Sequence, residues 1–383
     1  MFLKSFNKPQ SYIGIDLGAG GVKLVELKRE KNHPVLFTYG IAEDVDLPLV
    51  NSIVVPEDPV MQKVHIKDVK QVPEAEAADP VLIEKYARVV HDLCVQAKTV
   101  SKVAIASLPI SSVFHAVLTL PLVKKDELNH LVQAEIKKLL PLPIEDMVLD
   151  VQVISTETPE KTQHVLVNAV ARSLVSFYTA VFSRDGITLD SLEPESMAMA
   201  RSLVGKDPAT TMIVDIGAER TNFFIVADMV PVTHHSTELG GSKITKLLTT
   251  LWGVDPALVE QMKSDVFTHL LTSGSAQSFI SKDVFVEQFR SVIDPIAKEV
   301  EYSLELYMRQ TMSRSKRIDK IILTGGAALF PYFGEYLAEK FKIKCYIGDP
   351  WGRVLYPDTL KPLIRSFGPR MSVAIGLALR NVV

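Results

Sequence analysis

Apolar positions along the chain fall into short β-branched runs that end in small or acidic residues, and these alternate with longer stretches at helical spacing. In residues 13–27, Ile13, Ile15 and Leu17 lead past Asp16 into Gly18, Ala19, Gly20 and Gly21, and Val22, Leu24, Val25 and Leu27 lead out again. The pattern predicts a β-hairpin whose turn carries no bulky side chain. Its outline returns over residues 212–226: Met212, Ile213 and Val214 run into Asp215, Gly217 and Arg220 stand in the turn, and Thr221 opens a second apolar run. Asp16 and Asp215 therefore mark equivalent points of an approximate internal repeat, which predicts two similar halves facing each other.

Between the copies, strands are predicted over 103–109 and 113–120. Leu128, Leu131, Val132, Ile136 and Leu139 predict a helix over 124–140, which Pro141 and Pro143 stop. Strands over 147–156 and 164–171 and a helix over 174–182 complete a compact α+β module inserted in the first half. The stretch 48–80 carries Pro48, Pro56, Pro59, Pro73 and Pro80 with acidic residues and reads as a long excursion. Beyond the second hairpin, helices are predicted over 243–251, 255–263 and 285–312. A strand over 320–324 ends at Gly325 and Gly326, and a small-residue helix over 371–379 closes the chain. That last helix, with Ala374, Gly376 and Ala378, is expected to cross one over 196–203, with Ala198 and Ala200, at a hinge between the halves.

A chain of 383 residues makes two or three domains at about 150 residues each. With 47% apolar and 23% charged residues it is not a disordered chain. The 42 Lys and Arg against 45 Asp and Glu are too balanced for a protein whose main work is neutralising nucleic-acid phosphates. Cys94 and Cys345 alone support neither a disulfide framework nor a structural zinc site, so a reducing cytoplasm is expected. No stretch is long and apolar enough to span a membrane, and Lys4, Asn7 and Lys8 interrupt any signal-peptide core.

The candidate chemistry gathers at the turns. Gly18, Ala19, Gly20 and Gly21 let backbone N–H groups approach an anion, with phosphate as the natural guest; the alternative is an ordinary glycine turn. Asp16 can hold a hydrated Mg²⁺ and Lys23 can reach back toward a phosphate, or the two are a strand-end acid and a solvated lysine. Asp215, Gly217, Arg220 and Thr221 repeat the arrangement, and two such turns make a clamp; Arg220 either neutralises phosphate or is a surface residue. Gly325 and Gly326 offer bare backbone on which a base and ribose can lie, or form a tight strand-to-helix turn. Glu260 and Lys263 share a helix face and could reach ribose hydroxyls, although such pairs are commonly solvated ion pairs.

The order of these elements resembles the actin/Hsp70/sugar-kinase superfamily, whose two halves close on ATP. Segments 103–109, 118–121, 127–128, 134–135, 140–143 with Glu145, 149–150, 168–172 and 192–198 bring a closer resemblance to the PilM family of type IV pilus assembly, relatives of the division protein FtsA. The resemblance implies an α/β, actin-like two-domain fold of duplicated halves with an FtsA-like inserted subdomain. Residues 1–81, 187–205 and 368–383 would form the first half and 82–186 the inserted subdomain. Residues 206–239 and 316–367 would form the second half, with 240–315 as its smaller subdomain. It implies ATP and Mg²⁺ as ligands, with Asp16 and Asp215 holding the metal through water. The implied role is a cytoplasmic adaptor of the pilus assembly platform, held at the inner membrane by the N-terminal tail of a PilN-like protein rather than by its own insertion. A filament-forming ATPase, a small-molecule kinase and a scaffold without nucleotide remain the alternatives. Any turnover would be weak, and Glu193 or Glu195, ahead of the crossing helix, would orient the attacking water unless they only cap that helix.

Overall fold

The computed structural model describes residues 11–43, 79–155, 162–184, 186–261, 287, 289–309, 317–330 and 332–382. Nearly all of the excursion expected over 48–80 lies outside them.

The repeat predicted from the aspartates is a repeat of whole sheets. In the first half, β1 (Ser11–Gly18), β2 (Gly21–Glu30) and β3 (His33–Ala42) form an antiparallel meander. The helix α1 (Pro80–Gln96) follows, begun by Asp79, whose carboxylate accepts from the Val81 N–H at 2.9 Å, and by Pro80 in the first turn. It leads to β4 (Val103–Leu108), which runs parallel to β1. The chain then leaves the sheet through β5 (Val113–Pro121), α2 (Lys125–Ile136), β6 (Met147–Ser155) and β7 (Thr162–Ala171), a three-stranded antiparallel sheet in the order β5-β7-β6. It returns through α3 (Arg172–Ser183) to β8 (Thr188–Pro194), giving a five-stranded sheet in the order β3-β2-β1-β4-β8. The inserted unit is thus narrower than 82–186: β4 pairs with β1 and β8 in the main sheet, and α1 packs on α3 against the first half.

A short helix α4 (Glu195–Met199), extended by a π-turn over Ala200–Val204, crosses to the second half. There β9 (Thr211–Ile216), β10 (Thr221–Ala227) and β11 (Val230–Thr237) form a second meander. After α5 (Gly241–Trp252) and α6 (Arg290–Arg309), β12 (Lys320–Thr324) lies parallel to β9; α7 (Phe333–Phe341) then leads to β13 (Lys344–Ile347). The order β11-β10-β9-β12-β13 is that of the first sheet, strand for strand. The described parts of 240–315 share the core of this half: Ile244 and Leu248 of α5 and Val292, Ile293, Ile296 and Val300 of α6 cluster with Met212, Val214 and Phe223.

The chain ends in α8 (Lys361–Phe367) and α9 (Ser372–Leu379), and α9 lies in a core shared by both halves, among Val25 and Ile105 of the first and Ile213, Phe224 and Ile322 of the second. Every residue of α9 is buried, each large aliphatic chain contributing about 1.5–3 kcal/mol. The expected crossing with α4 is present. A Cβ at Gly376 would stand 1.9 Å from the Ala198 carbonyl oxygen, so only glycine allows the two helices to approach so closely.

Candidate functional site

The equivalent strand ends of the two sheets converge on a cavity of about 780 Å³ between the halves, within the range of small-ligand sites. Its walls include Asp16, Gly18, Ala19, Gly20, Gly21 and Lys23 from the first half, and Asp215, Gly217 and Arg220 from the second. Glu195, Glu260, Gly325 and Gly326 complete the sequence-predicted set found there. The two turns face each other at close range, since a Cβ on Gly20 would lie 3.2 Å from the Ala218 Cβ.

Strand register places the polar groups. Asp16 stands directly across from Lys23 in the β1–β2 ladder, with 3.6 Å between carboxylate and ammonium, and both are buried. The Ser107 hydroxyl on β4 donates to the other Asp16 oxygen at 2.9 Å. In the β9–β10 ladder Asp215 stands across from Asn222, whose Nδ2 donates to Asp215 Oδ2 at 3.0 Å. Burial raises the Asp215 carboxyl to about 6, the Asn222 bond offsets part of this, and the negative Asp16 adds to the rise. Glu195 receives the Ile110 N–H at 3.3 Å and is held well above the ordinary carboxylate value, first by burial and then by Asp16 and Asp215. Asp16, Asp215 and Glu195 thus share the pocket with the buried Lys23.

Gly325 sits at the end of β12 with φ +90°, and a Cβ there would strike Ile216 O at 2.4 Å and Asp215 Oδ1 at 2.6 Å. The bare turn lets β12 end directly beside the second aspartate. Glu260 accepts the Thr245 hydroxyl.

Two predicted residues fall elsewhere. Glu193 does not line the cavity; both its oxygens are taken by Arg201, at 2.9 and 2.5 Å, and Arg380 approaches at 3.7 Å. Its carboxylate serves the contact of α4 with the chain terminus, because Arg201 also donates to the Gly376 carbonyl at 2.6 Å, and this position does not suit an orienter of water. Thr221 is buried and its hydroxyl donates to the Leu239 carbonyl, tying the second turn to the approach to α5. Lys263 lies outside the described residues. Arg220 lines the cavity, and its Nε donates to Ser236 Oγ at 3.1 Å.

Sequence reading missed Ser107, Asn222 and the pair Arg370–Glu43. Arg370 Nη2 lies 2.5 Å from Glu43 at the cavity wall, and the Arg370 stem would touch a Cβ at Gly326 at 3.7 Å. Asn222 was within reach of the repeat, since it follows Asp215 by the interval that separates Lys23 from Asp16. Ser107 and Arg370 carried no local signal, because strand pairing and the turn before α9 alone bring them to the site.

Among the described residues no group of three or more His, Cys, Asp or Glu is placed to hold a metal ion directly. A cation between Asp16 and Asp215 would complete its shell with water or with a bound anion.

The model of the family described as type IV pilus assembly protein PilM matches residues 14–382, so the chain belongs to that family. Among solved structures, a PilM–PilN type IV pilus biogenesis complex is similar, with TM-score 0.74 and 20% identity over 97% of this chain and 98% of that one. The ethanolamine utilization protein EutJ from Carboxydothermus hydrogenoformans is also similar, with TM-score 0.50 and 15% identity over 97% of this chain and 90% of that one. At these identities the likeness is one of fold, the actin-like fold of two duplicated halves.

Proposed function

We propose that this chain is a nucleotide-dependent adaptor of the inner-membrane platform that assembles type IV pili. It takes Mg-ATP between its halves and holds the cytoplasmic N-terminal tail of a PilN-like membrane protein beside the inserted module. The observation that carries the nucleotide reading is the pair of aspartate-led turns facing each other across one cavity, with the glycine turn of β12 beside them.

The site fits the ligand pair chemically. Glycine-lined turns leave backbone N–H groups accessible to phosphate, and Asp215, whose carboxyl burial and the negative Asp16 raise to about 6, is bonded by a neutral amide rather than by a cation. Asp16 and Asp215 would hold Mg²⁺ through its water ligands, and the bound ion would supply the charge that keeps phosphate oxygens and these carboxylates together. Lys23 contributes a fixed ammonium beside the first turn, and Arg220 a guanidinium beside the second. Gly325 and Gly326 offer a flat surface to base and ribose, with Glu260 toward the hydroxyls. Glu195 is the remaining candidate for a group that handles the proton of an attacking water. Burial and the neighbouring Asp16 and Asp215 hold its carboxyl well above the ordinary carboxylate value, which works against a role as proton acceptor.

The partner reading follows from family membership together with the shape of the module. No helix among the described residues is long and apolar enough to cross a membrane, so a place at the membrane calls for a protein tether. In the order β5-β7-β6, β6 is an edge strand, and an extended peptide of about ten residues could pair along such an edge.

Calorimetry with Mg-ATP, and fluorescence anisotropy with a labelled PilN-like N-terminal peptide, test the two parts separately. Binding of both ligands by the wild type, with Asp16→Ala losing the nucleotide and keeping the peptide, is the expected result. Full nucleotide affinity in Asp16→Ala sinks the site assignment, and no peptide binding sinks the adaptor role.

A further inference from the structure

The inserted module and the second half meet at two histidines that the nucleotide clamp leaves without a role. His115 projects from β5 and His234 from β11, and their rings stack with centroids 3.9 Å apart and planes 15° from parallel. On the module side His115 Nδ1 is 2.9 Å from Asn168 Oδ1 on β7; on the other side the Phe224 ring of β10 stands edge-on to His234 at 6.2 Å. Burial lowers His115 to about 4 and holds His234 well below its ordinary value, so two neutral rings face each other. Both ring nitrogens of His234 are buried with no hydrogen-bond partner among the described residues. A polar ring kept dry in this way is held by ring contact alone, and it regains hydrogen bonds to water once the strands part. The closed contact therefore forgoes hydrogen bonds that its opening would restore.

Its two ends lead to the cleft. Two residues beyond His234 on the same strand, Ser236 Oγ donates to Asn222 Oδ1 at 2.9 Å and accepts from Arg220 Nε at 3.1 Å, and Asn222 in turn holds Asp215 at 3.0 Å. On the other side β5 follows Ile110 and Ser111, which line the cavity. Both strands that carry the stack are thus connected to the walls of the cleft, and packed contacts respond to small displacements by switching rather than by stretching.

We propose that the His115–His234 stack is a clasp between the inserted module and the second half, through which β11 transmits the state of the nucleotide cleft to the module. The clasp rests on the nucleotide reading above, and its physical warrant is the unbroken run of contacts from Asp215 to β5.

Amide hydrogen exchange on the full chain, with and without Mg-ATP, tests it. In the wild type, Mg-ATP should slow exchange at both hairpin turns and across 113–121. In His115→Ala the slowing across 113–121 should fall by about half or more while both turns keep theirs. His234→Phe retains a stacked ring without dry nitrogens and should slow exchange across 113–121 several-fold in the absence of nucleotide. Equal nucleotide-dependent protection of 113–121 in wild type and His115→Ala overturns the clasp and leaves the nucleotide site standing, as does unchanged or faster exchange in His234→Phe. Lack of protection at either turn in the wild type overturns the nucleotide reading, and the relay with it.

Discussion

In the first hairpin Asp16 faces Lys23, and in the second Asp215 faces Asn222. The strand order, the direction of each strand and the leading aspartate are the same, yet the first carboxylate has a buried ammonium at 3.6 Å while the second has a neutral amide at 3.0 Å. The first turn brings its own positive charge to an incoming anion. The second leaves an acid that burial lifts to about 6, and an added cation has most to gain on that side. The halves also diverge two residues before each aspartate. Gly14 lies so close to α9 that a Cβ would meet Ala374 O at 2.1 Å, whereas Ile213 fills the core between the halves. Duplication supplied the frame, and single positions within it assigned one half to carry the closing helix and the fixed cation.

Making the halves alike should undo these assignments, and the largest effect is expected at Gly14. Gly14→Ile copies the second half and drives a side chain into the backbone of α9; denaturant unfolding should show a loss of about 3 kcal/mol or more, and a loss below 1 kcal/mol would mean that α9 yields easily. Lys23→Asn gives the first hairpin the partner of the second. It should weaken Mg-ATP about 10- to 100-fold by calorimetry while the fold persists, and equal affinity would remove Lys23 from the phosphate site. Asn222→Lys is the reverse exchange. An ammonium opposite Asp215 should bring its carboxyl down from about 6 by roughly one unit or more, read by carbon-13 NMR of the carboxyl; a titration that stays near 6 would show that burial alone sets it.

The smallest effect concerns the place where the module touches the second half. His115 has a native value of about 4 against an ordinary value near 6.5, so the unfolded chain binds the proton first. Its contribution to stability is intact above pH 6.5 and declines as the pH falls toward 4. The neighbouring His235 is engaged by Glu299 at 2.6 Å and points to that separate partner. Wild type should lose about 1 kcal/mol more than His115→Phe between pH 7 and pH 5.5, measured by denaturant titration at each pH, and parallel losses would place the titrating groups elsewhere.

Much of the frame was legible in the pattern of residues. The hairpins at 13–27 and 212–226, the strand before Gly325 and the small-residue helix at the end are all local signals, and their repetition announced two facing halves. What misled was locality itself. The strand 103–108 directly precedes the next strand of the module, so adjacency assigned it to the module, while its backbone hydrogen bonds go to β1 and β8. Glu193 and Glu195 looked interchangeable because they flank one proline. Their side chains leave in different directions, one to Arg201 and one into the cavity.

The sequence by itself determined which residue types exist in duplicate and at what interval: acid, small turn and apolar run, twice. These follow from backbone preference and alternation, which act over a few residues. Tertiary structure alone decided the rest. It joined Ser107 to Asp16, Arg370 to Glu43 and His115 to His234, and it set how far burial raises Asp215 and Glu195. The reason is physical: a hydrogen bond, an ion pair or a desolvated carboxylate depends on distances of a few ångströms between groups far apart in the chain, and only the packing of the two sheets across α4 and α9 sets those distances.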